Sequence, residues 1–514
     1  MKRCLIIAFS MFTLSVCSQE ALKDYNKLFA SANKKFEIGD YHGANKIYSQ
    51  LFLLDSLDKS LNYKMGVCYF ELKKYEQAEK HFLKTSSGES LELFRYKAAI
   101  AHFNQKFKKA INYYNAYKII SGEKDYDNDE INRLIEKVKY AEKVIQNQRN
   151  VTIHNMGAPI NTKYSEYVPL ISADEQMLFF TSRRSGSTGG QLDPNEQPFE
   201  DIYVSNKKEN IWTAPQKLPE GINTATNDAC VGLSPDGQIL FIFRTNEDLM
   251  SGDLYECRMG LDEWEKPKKL PSNINSEYIE TSASITIDDK VLYFSSDRPG
   301  GYGGKDIYKV VRLPNGKWSK AINLGPVINT KYDEDAPFIH SDSKTLYFSS
   351  TGHQNMGGYD IFKSELEKKV WSNPENLKSP INTVNDDIFF VLGAKGKVGY
   401  YSSSRDGGYG GQDIYKVVLK DEMVKWHVLK AKIIADDQGV PPSKITLIEN
   451  ESRKVKGIYK PNTSSGKFIM LVDPEKTYSI VVEASSYYPL TSELDYDIKS
   501  NDLLEFKLEK KNNK

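Results

Sequence analysis

Cysteine is scarce in this chain, with five among 514 residues. Cys68, Cys230 and Cys257 are the ones that follow the N-terminal segment, and their odd number and wide spacing exclude a disulfide framework or a CxxC metal site. An excess of charge of either sign is missing too. Lys+Arg and Asp+Glu both total 69, so no global field gathers nucleic acid or anionic lipid. The seven histidines, His42, His81, His102, His154, His340, His353 and His427, fall at no HExxH-like spacing. No Gly-x-Ser-x-Gly elbow is present. Proline does not occur before Pro159, and no segment offers the long apolar run of a transmembrane helix. These absences lead to the expectation of no catalytic residue, no metal, no cofactor and no nucleic-acid partner, and so of a chain that is not an enzyme.

What is present describes a folded protein: 39% hydrophobic and 27% charged residues, with 32 tyrosines. At the N-terminus, Lys2 and Arg3 precede the apolar run Leu5 to Phe12 and a small-residue stretch. That is the pattern of a secretory signal peptide over residues 1–18, which predicts export to the periplasm or outer membrane. Two processing routes stay open. Val16 and Ser18 suit simple cleavage before Gln19, whereas Leu14-Ser15-Val16-Cys17 resembles a bacterial lipobox that would lipidate Cys17. Membrane attachment is expected only through such an anchor.

Residues 19–150 read as helical. Ala44, Ala78 and Ala110 mark a repeat, with an aromatic three residues before each (Tyr41, Tyr75, Phe107) and four after each (Tyr48, Phe82, Tyr114). Ala32, Gly66 and Ala98 stand twelve positions earlier. Small residues at such places let antiparallel helices approach while the aromatics fill the space between pairs. The pattern resembles the tetratricopeptide repeat, and implies a groove for a protein partner.

From Val151 the periodicity changes to that of strands. Ile-Asn-Thr or Ile-Asn-Ser starts at Ile160, Ile222, Ile274, Ile328 and Ile381. An Asp-(Ile/Leu)-(Tyr/Phe) triplet opens at Asp201, Asp253, Asp306, Asp360 and Asp413, a beat of about 53 residues. Trp212, Trp264, Trp318 and Trp371 keep the same spacing. Each copy has four strand-like pieces, which predicts a five-bladed β-propeller over 151–425 that resembles WD-like, TolB-type repeats. Val151-Thr152-Ile153 is expected to return as the outermost strand of the fifth blade, closing the ring and removing an open edge. Residues 426–510 alternate apolar and polar between turns and resemble the carboxypeptidase regulatory-like β-sandwich. The fold class expected is thus multidomain α plus all-β.

The stretch Asp297-Arg298-Pro299-Gly300-Gly301-Tyr302-Gly303-Gly304-Lys305-Asp306 could be a phosphate loop, a calcium loop or a turn. A strand follows it where a phosphate loop needs a helix. Its copies recur at the blade spacing where calcium nonapeptides stack in tandem. It is read as a blade turn, with the repeat aspartates Asp201, Asp253, Asp306, Asp360 and Asp413 holding it through backbone N–H bonds. The acids Asp333-Glu334-Asp335 and Asp386-Asp387, which follow Ile-Asn-Thr, are read as strand-entry residues, with a channel-facing carboxylate pair as the rival reading. The first copy carries an insertion around Gln191, Leu192, Asp193, Asn195 and Glu196, which makes these residues the candidate partner-contact loop.

The module order resembles PorE-like envelope proteins of Bacteroidetes, which end in an OmpA-type domain that this chain lacks, so peptidoglycan binding is not expected. The resemblance implies an envelope scaffold or adaptor that binds proteins through the helical groove and a propeller face, in type IX secretion or gliding. The alternative is a glycan-binding or glycan-cleaving propeller.

Overall fold

The computed structural model describes residues 24–85, 91–122, 128–261, 263–420, 426–435, 439–494 and 503–511. Residues 1–18, where a signal peptide is expected, and Cys17 with them lie outside the described residues. The chain divides into two compact units, residues 1–142 with 192–197, and residues 143–191 with 198–514.

The first unit is helical: α1 (residues 24–37), α2 (Tyr41–Phe52), α3 (Lys59–Glu71), α4 (Tyr75–Phe82), α5 (Leu91–Phe103), α6 (Phe107–Ser121) and the start of α7 (Asn128–Gln146). Asp40 and Asp58 start α2 and α3 by accepting N–H bonds from Gly43 and Leu61 at 2.8 and 3.0 Å. Ala32, Ala44, Ala78, Ala98 and Ala110 are fully buried at the helix crossings. At Gly66 the reason for a small residue is explicit, because a Cβ there would stand 2.5 Å from the Phe82 ring. Phe82 stacks on Tyr96, and Tyr75 on Phe103, between successive helix pairs.

The second unit holds five antiparallel sheets in sequence and, after them, a pair of sheets. The inner strands of the five are Glu166–Ile171, Asp228–Leu233, Glu280–Ile285, Glu334–Ile339 and Asp387–Leu392. Each touches the next and the last touches the first, so the sheets close into a ring. Each inner strand continues outward through a second and third strand, as in Glu280–Ile285, Val291–Ser296 and Asp306–Val311. The outermost pieces are short and broken. Ile211–Trp212 and Gln216–Lys217 pair separately with Asp201–Lys208, and Trp318 makes a single bridge to Arg312. A continuous fourth strand opening at the tryptophan is therefore not what forms: in the first copy residues 213–215, which include Pro215, leave the ladder between the two pieces.

Val151–Asn155 pairs antiparallel with Asp413–Leu419, so a strand from before the first copy completes the fifth sheet. Cys230 and Cys257 lie on strands separated by a third and are free and buried, as is Cys68; burial pushes each thiol up to about 12. The C-terminal sheets run Lys467–Val472, His427–Ile434, Leu503–Lys507, and Val455–Tyr459, Ser443–Glu449, Tyr478–Ala484, Leu490–Leu494. They enclose one core around Ala431, Ile433, Ile445, Leu447, Ile480 and Val482.

Candidate functional site

Antiparallel order sends the loops of every sheet in the ring to two faces. Turns between the second and third strands, and the links into each next inner strand, share one face; the remaining turns share the other. The glycine stretch and the Ile-Asn-Thr stretch therefore meet on the same face.

They meet through a lattice repeated in every copy. The asparagine of each Ile-Asn-Thr or Ile-Asn-Ser bonds both backbone groups of the residue after the preceding sheet's repeat aspartate. Asn329 accepts from Ile307 N at 2.8 Å and donates to Ile307 O at 3.0 Å. Asn223, Asn275 and Asn382 do the same to Ile202, Leu254 and Ile361. Asn161 reaches Ile414 of the fifth sheet, and that bond closes the ring. The Thr or Ser that follows donates its N–H and hydroxyl to an acid four residues on. Thr162, Thr224, Ser276, Thr330 and Thr383 serve Glu166, Asp228, Glu280, Glu334 and Asp387 in this way.

These five carboxylates have no exposed surface. In four copies an arginine meets them: Arg184, Arg244, Arg298 and Arg405, with Nη2 also on the carbonyl oxygens of Ile160, Ile222, Ile274 and Ile381. Burial still raises the Glu166, Asp228 and Asp387 carboxyls above their ordinary range. The fourth copy differs. His353 Nε2 takes the arginine's place, donating to Ile328 O at 2.8 Å, and Glu334 is left with Thr330 and Ser350 and, among the described residues, no cation. Burial raises the Glu334 carboxyl and holds His353 below the usual imidazole value.

A neutral native histidine makes this joint sensitive to acid. Unfolded His353 takes up a proton below about pH 6.5 while the folded one resists, so its contribution is complete above that pH and is lost as pH falls. We expect His353→Arg to stabilise the fold by about 1–2 kcal/mol at pH 7, through one charge-assisted bond to Glu334. Protonation of the buried Glu334 carboxyl acts in the opposite sense, so the histidine effect is read in a Glu334→Gln background. There the advantage of arginine over histidine should grow between about pH 6.5 and 5 in urea unfolding curves. An unchanged advantage across that range would contradict the account.

The repeat aspartates close the glycine turns. Asp306 accepts N–H bonds from Tyr302 and Gly303 and an amide bond from Asn323; Asp413 repeats the set with Tyr409, Gly410 and Asn155. Asp360 takes Met356 N and Asn376, Asp201 takes Thr188, and Asp253 pairs with Lys269. Gly300, at φ +86°, supplies the left-handed turn. Gly303 serves a different need: a Cβ there would meet Tyr332 O of the next sheet's entry loop at 1.9 Å.

The acids weighed as a channel-facing pair are engaged in the same joints. Asp333 accepts Lys305 N, and Asp386 accepts Tyr359 N. Asp335 binds Lys305, Thr281 and Ser282; burial alone would raise its carboxyl, but Lys305 and the Ser282 hydroxyl hold it below the usual range. The channel is lined by apolar side chains, among them Val168, Leu170, Val231, Ala283, Phe338 and Phe389, around a cavity of only about 20 Å³. That is room for about one water molecule. Among the described residues no group of three or more His, Cys, Asp or Glu side chains has the arrangement of a metal site.

The insertion of the first copy behaves differently from the turns. Asp193 accepts N–H bonds from Asn195 and Gln197, a compact local loop. Leu192–Gln197 fall in the first unit, where Glu196 pairs with Lys46 and lies 3.6 Å from His42. Gln191 lies at the edge of the second unit, and Leu192 is exposed.

No protein-family model and no curated protein matches the chain. Among solved structures it is similar to a Penicillium chrysogenum α-L-arabinanase complexed with arabinobiose, at 10% identity, 53% of this chain, all of that one and TM-score 0.33. The Bacteroides ovatus Xyloglucan PUL GH43B matches at 12% identity, 67% of this chain, 91% of that one and TM-score 0.33. The RRP9 WD40 repeats match at 8%, 52%, 97% and 0.29. The expectation that the chain is not an enzyme is corrected by these comparisons, which also include an α-L-arabinofuranosidase and prolyl endopeptidases. Missing motifs do not by themselves exclude an activity, and the likeness assigns no reaction.

Proposed function

We propose that the ring is a five-bladed β-propeller, that the helical unit is a tetratricopeptide-like stack, and that the chain is an exported envelope adaptor binding protein partners through both. One observation carries the reading most. The channel is filled, and acids after Ile-Asn-Thr such as Asp333 and Asp386 are tied into joints between sheets, which leaves the loop faces as the surfaces that meet a partner. The helical unit adds support. Leu53, Leu54 and Leu57 after α2, Leu83 after α4, and Ile119 and Ile120 at the end of α6 are exposed at the ends of alternate helices. A role in type IX secretion or gliding rests on the PorE-like module order, and attachment to the outer membrane rests on Cys17.

A second reading, a glycan-binding or glycan-cleaving propeller, is favoured by Tyr278, Tyr302 and Tyr409, which are exposed on the loop face that carries the glycine turns. Their rings offer flat apolar surfaces to sugar C–H groups. A pull-down from solubilised envelopes separates the two. The adaptor reading expects a protein partner that is lost with Leu54→Asp and Ile120→Asp; retention on a glycan resin with no protein recovered would replace it. Labelling with a palmitate analogue, in wild type but not in Cys17→Ser, is the expected result for the lipid anchor.

A further inference from the structure

The C-terminal sandwich is seated on the ring face opposite the glycine turns, inside the second unit. Ala173 and Ala394 of the ring are buried with Val428 and Leu471 of the sandwich. Lys430 pairs with Asp174 at 2.7 Å, and Asn462 Nδ2 donates to Gln238 Oε1 and Met259 O at 2.9 and 2.7 Å. Beside these fixed contacts the two modules stand apart and leave a cleft of about 910 Å³.

The walls of the cleft carry opposite charge. The ring side presents Asp236, Glu265, Asp288 and Asp289 around Arg258; the sandwich side presents Lys444, Lys460 and Lys511 with Glu483. Charges pair within a wall, Arg258 and Arg312 with Asp289, Lys290 with Asp288, Lys268 with Glu265 and Lys444 with Glu483, but among the described residues no ion pair joins the walls. Lys460 and Lys511 are exposed and have no ion-pair partner among the described residues. Between the charges lie the neutral hydrogen-bonding groups of Thr463 and Ser485, and the rings of Pro441, Pro442, Pro461 and Pro489.

We infer that this cleft holds an extended polypeptide segment of mixed charge, with basic side chains toward the ring wall and acidic ones toward the sandwich wall. A polyanion would meet the acidic wall, and a neutral glycan carries no charge to pair with either wall. A peptide brings both signs, alternates them on opposite sides when extended, and offers backbone donors and acceptors to the neutral groups. The bonds from Asn462 and Lys430 hold the walls in place before the segment arrives, which lowers the entropy lost on binding. The inference extends the adaptor reading by naming one place where a partner segment lies.

The test uses the full chain, fluorescence anisotropy and a labelled peptide of repeated Lys-Glu units, whose two charges fall on opposite sides when extended, with a Gly-Ser peptide of equal length and soluble arabinan as controls. The mixed-charge peptide should bind at least about tenfold more tightly than the Gly-Ser peptide and weaken as salt rises. Lys460→Glu with Lys511→Glu should lower its affinity about tenfold without moving the thermal midpoint, since both side chains are exposed and unpaired. Equal binding of both peptides, displacement by arabinan, or a double variant that binds as wild type does would each overturn the inference. Envelope partners recovered alike by wild type and double variant, with no peptide binding, would remove the cleft and leave the adaptor reading standing.

Discussion

Arg405→Met is expected to cost about 3–5 kcal/mol of folding stability at pH 7, the range seen when one partner of a buried ion pair is removed. Arg405 bonds Asp387 at 3.0 Å, Ser403 at 2.9 Å, and the carbonyls of Pro380 and Ile381 at 3.1 and 2.7 Å. Its guanidinium also lies over the rings of Tyr401 and Tyr415. Methionine fills much of the space but leaves a carboxylate with no exposed surface facing no cation. The sign of the pH dependence follows from burial, which already raises the Asp387 carboxyl. The folded chain holds that proton more tightly than the unfolded one, so ionised Asp387 costs stability as pH climbs above about 4. Loss of the arginine enlarges that cost, and the gap between variant and wild type should narrow as pH falls from 7 toward 4. Adding Asp387→Asn to the variant should recover part of the loss at pH 7. Urea midpoints at several pH values read all three, and a gap independent of pH would count against the buried charge as the cause.

Gly410→Ala should cost about 3 kcal/mol or more, at the upper end for an added methyl, because nothing soft is in its way. The Cβ would stand 1.5 Å from the carbonyl oxygen of Tyr164 and 2.6 Å from its carbon. Tyr164 opens the first sheet and Gly410 precedes the last strand of the fifth, so the clash falls where the ring closes. Gly300→Ala is the informative contrast. Its φ is +86° but open space surrounds it, so about 1 kcal/mol of backbone strain is the expected cost. Denaturation midpoints that shift equally for the two would mean that turn conformation, and not close approach between sheets, sets the need for glycine.

Much of the ring could be read from recurrence. The Asp-Ile-Tyr beat gave the number and order of the sheets, and Val151-Thr152-Ile153 could be placed on the fifth because it aligned with the piece following Trp318. The helix crossings were legible in the same way, since Ala44, Ala78, Ala110 and Gly66 recur where only a small side chain fits. The lattice of asparagine, threonine, acid and arginine was less legible. Ile-Asn-Thr served as a marker of spacing, yet each copy also repeats an acid four residues after the Thr or Ser, and that second beat was the available signal. Its partners lie in the neighbouring sheet, as with Asn161 and Ile414, and local spacing does not report them. The substitution of His353 for arginine becomes visible only when the carbonyls of Ile160, Ile222, Ile274 and Ile381 show what the fourth copy has replaced.

The sequence by itself determined the repeat, the strand order and the role of the glycine stretch as a turn, because these depend on short-range backbone preferences counted copy by copy. Tertiary structure decided what the repeated polar residues do, since a buried carboxylate acquires its meaning from the groups that desolvate and bond it. It also decided that the channel is filled, that Leu192–Gln197 group with the helical unit, and that a cleft with oppositely charged walls lies beside the sandwich. Residues distant along the chain make each of these, and no local pattern brings Asp288 and Lys460 to facing walls.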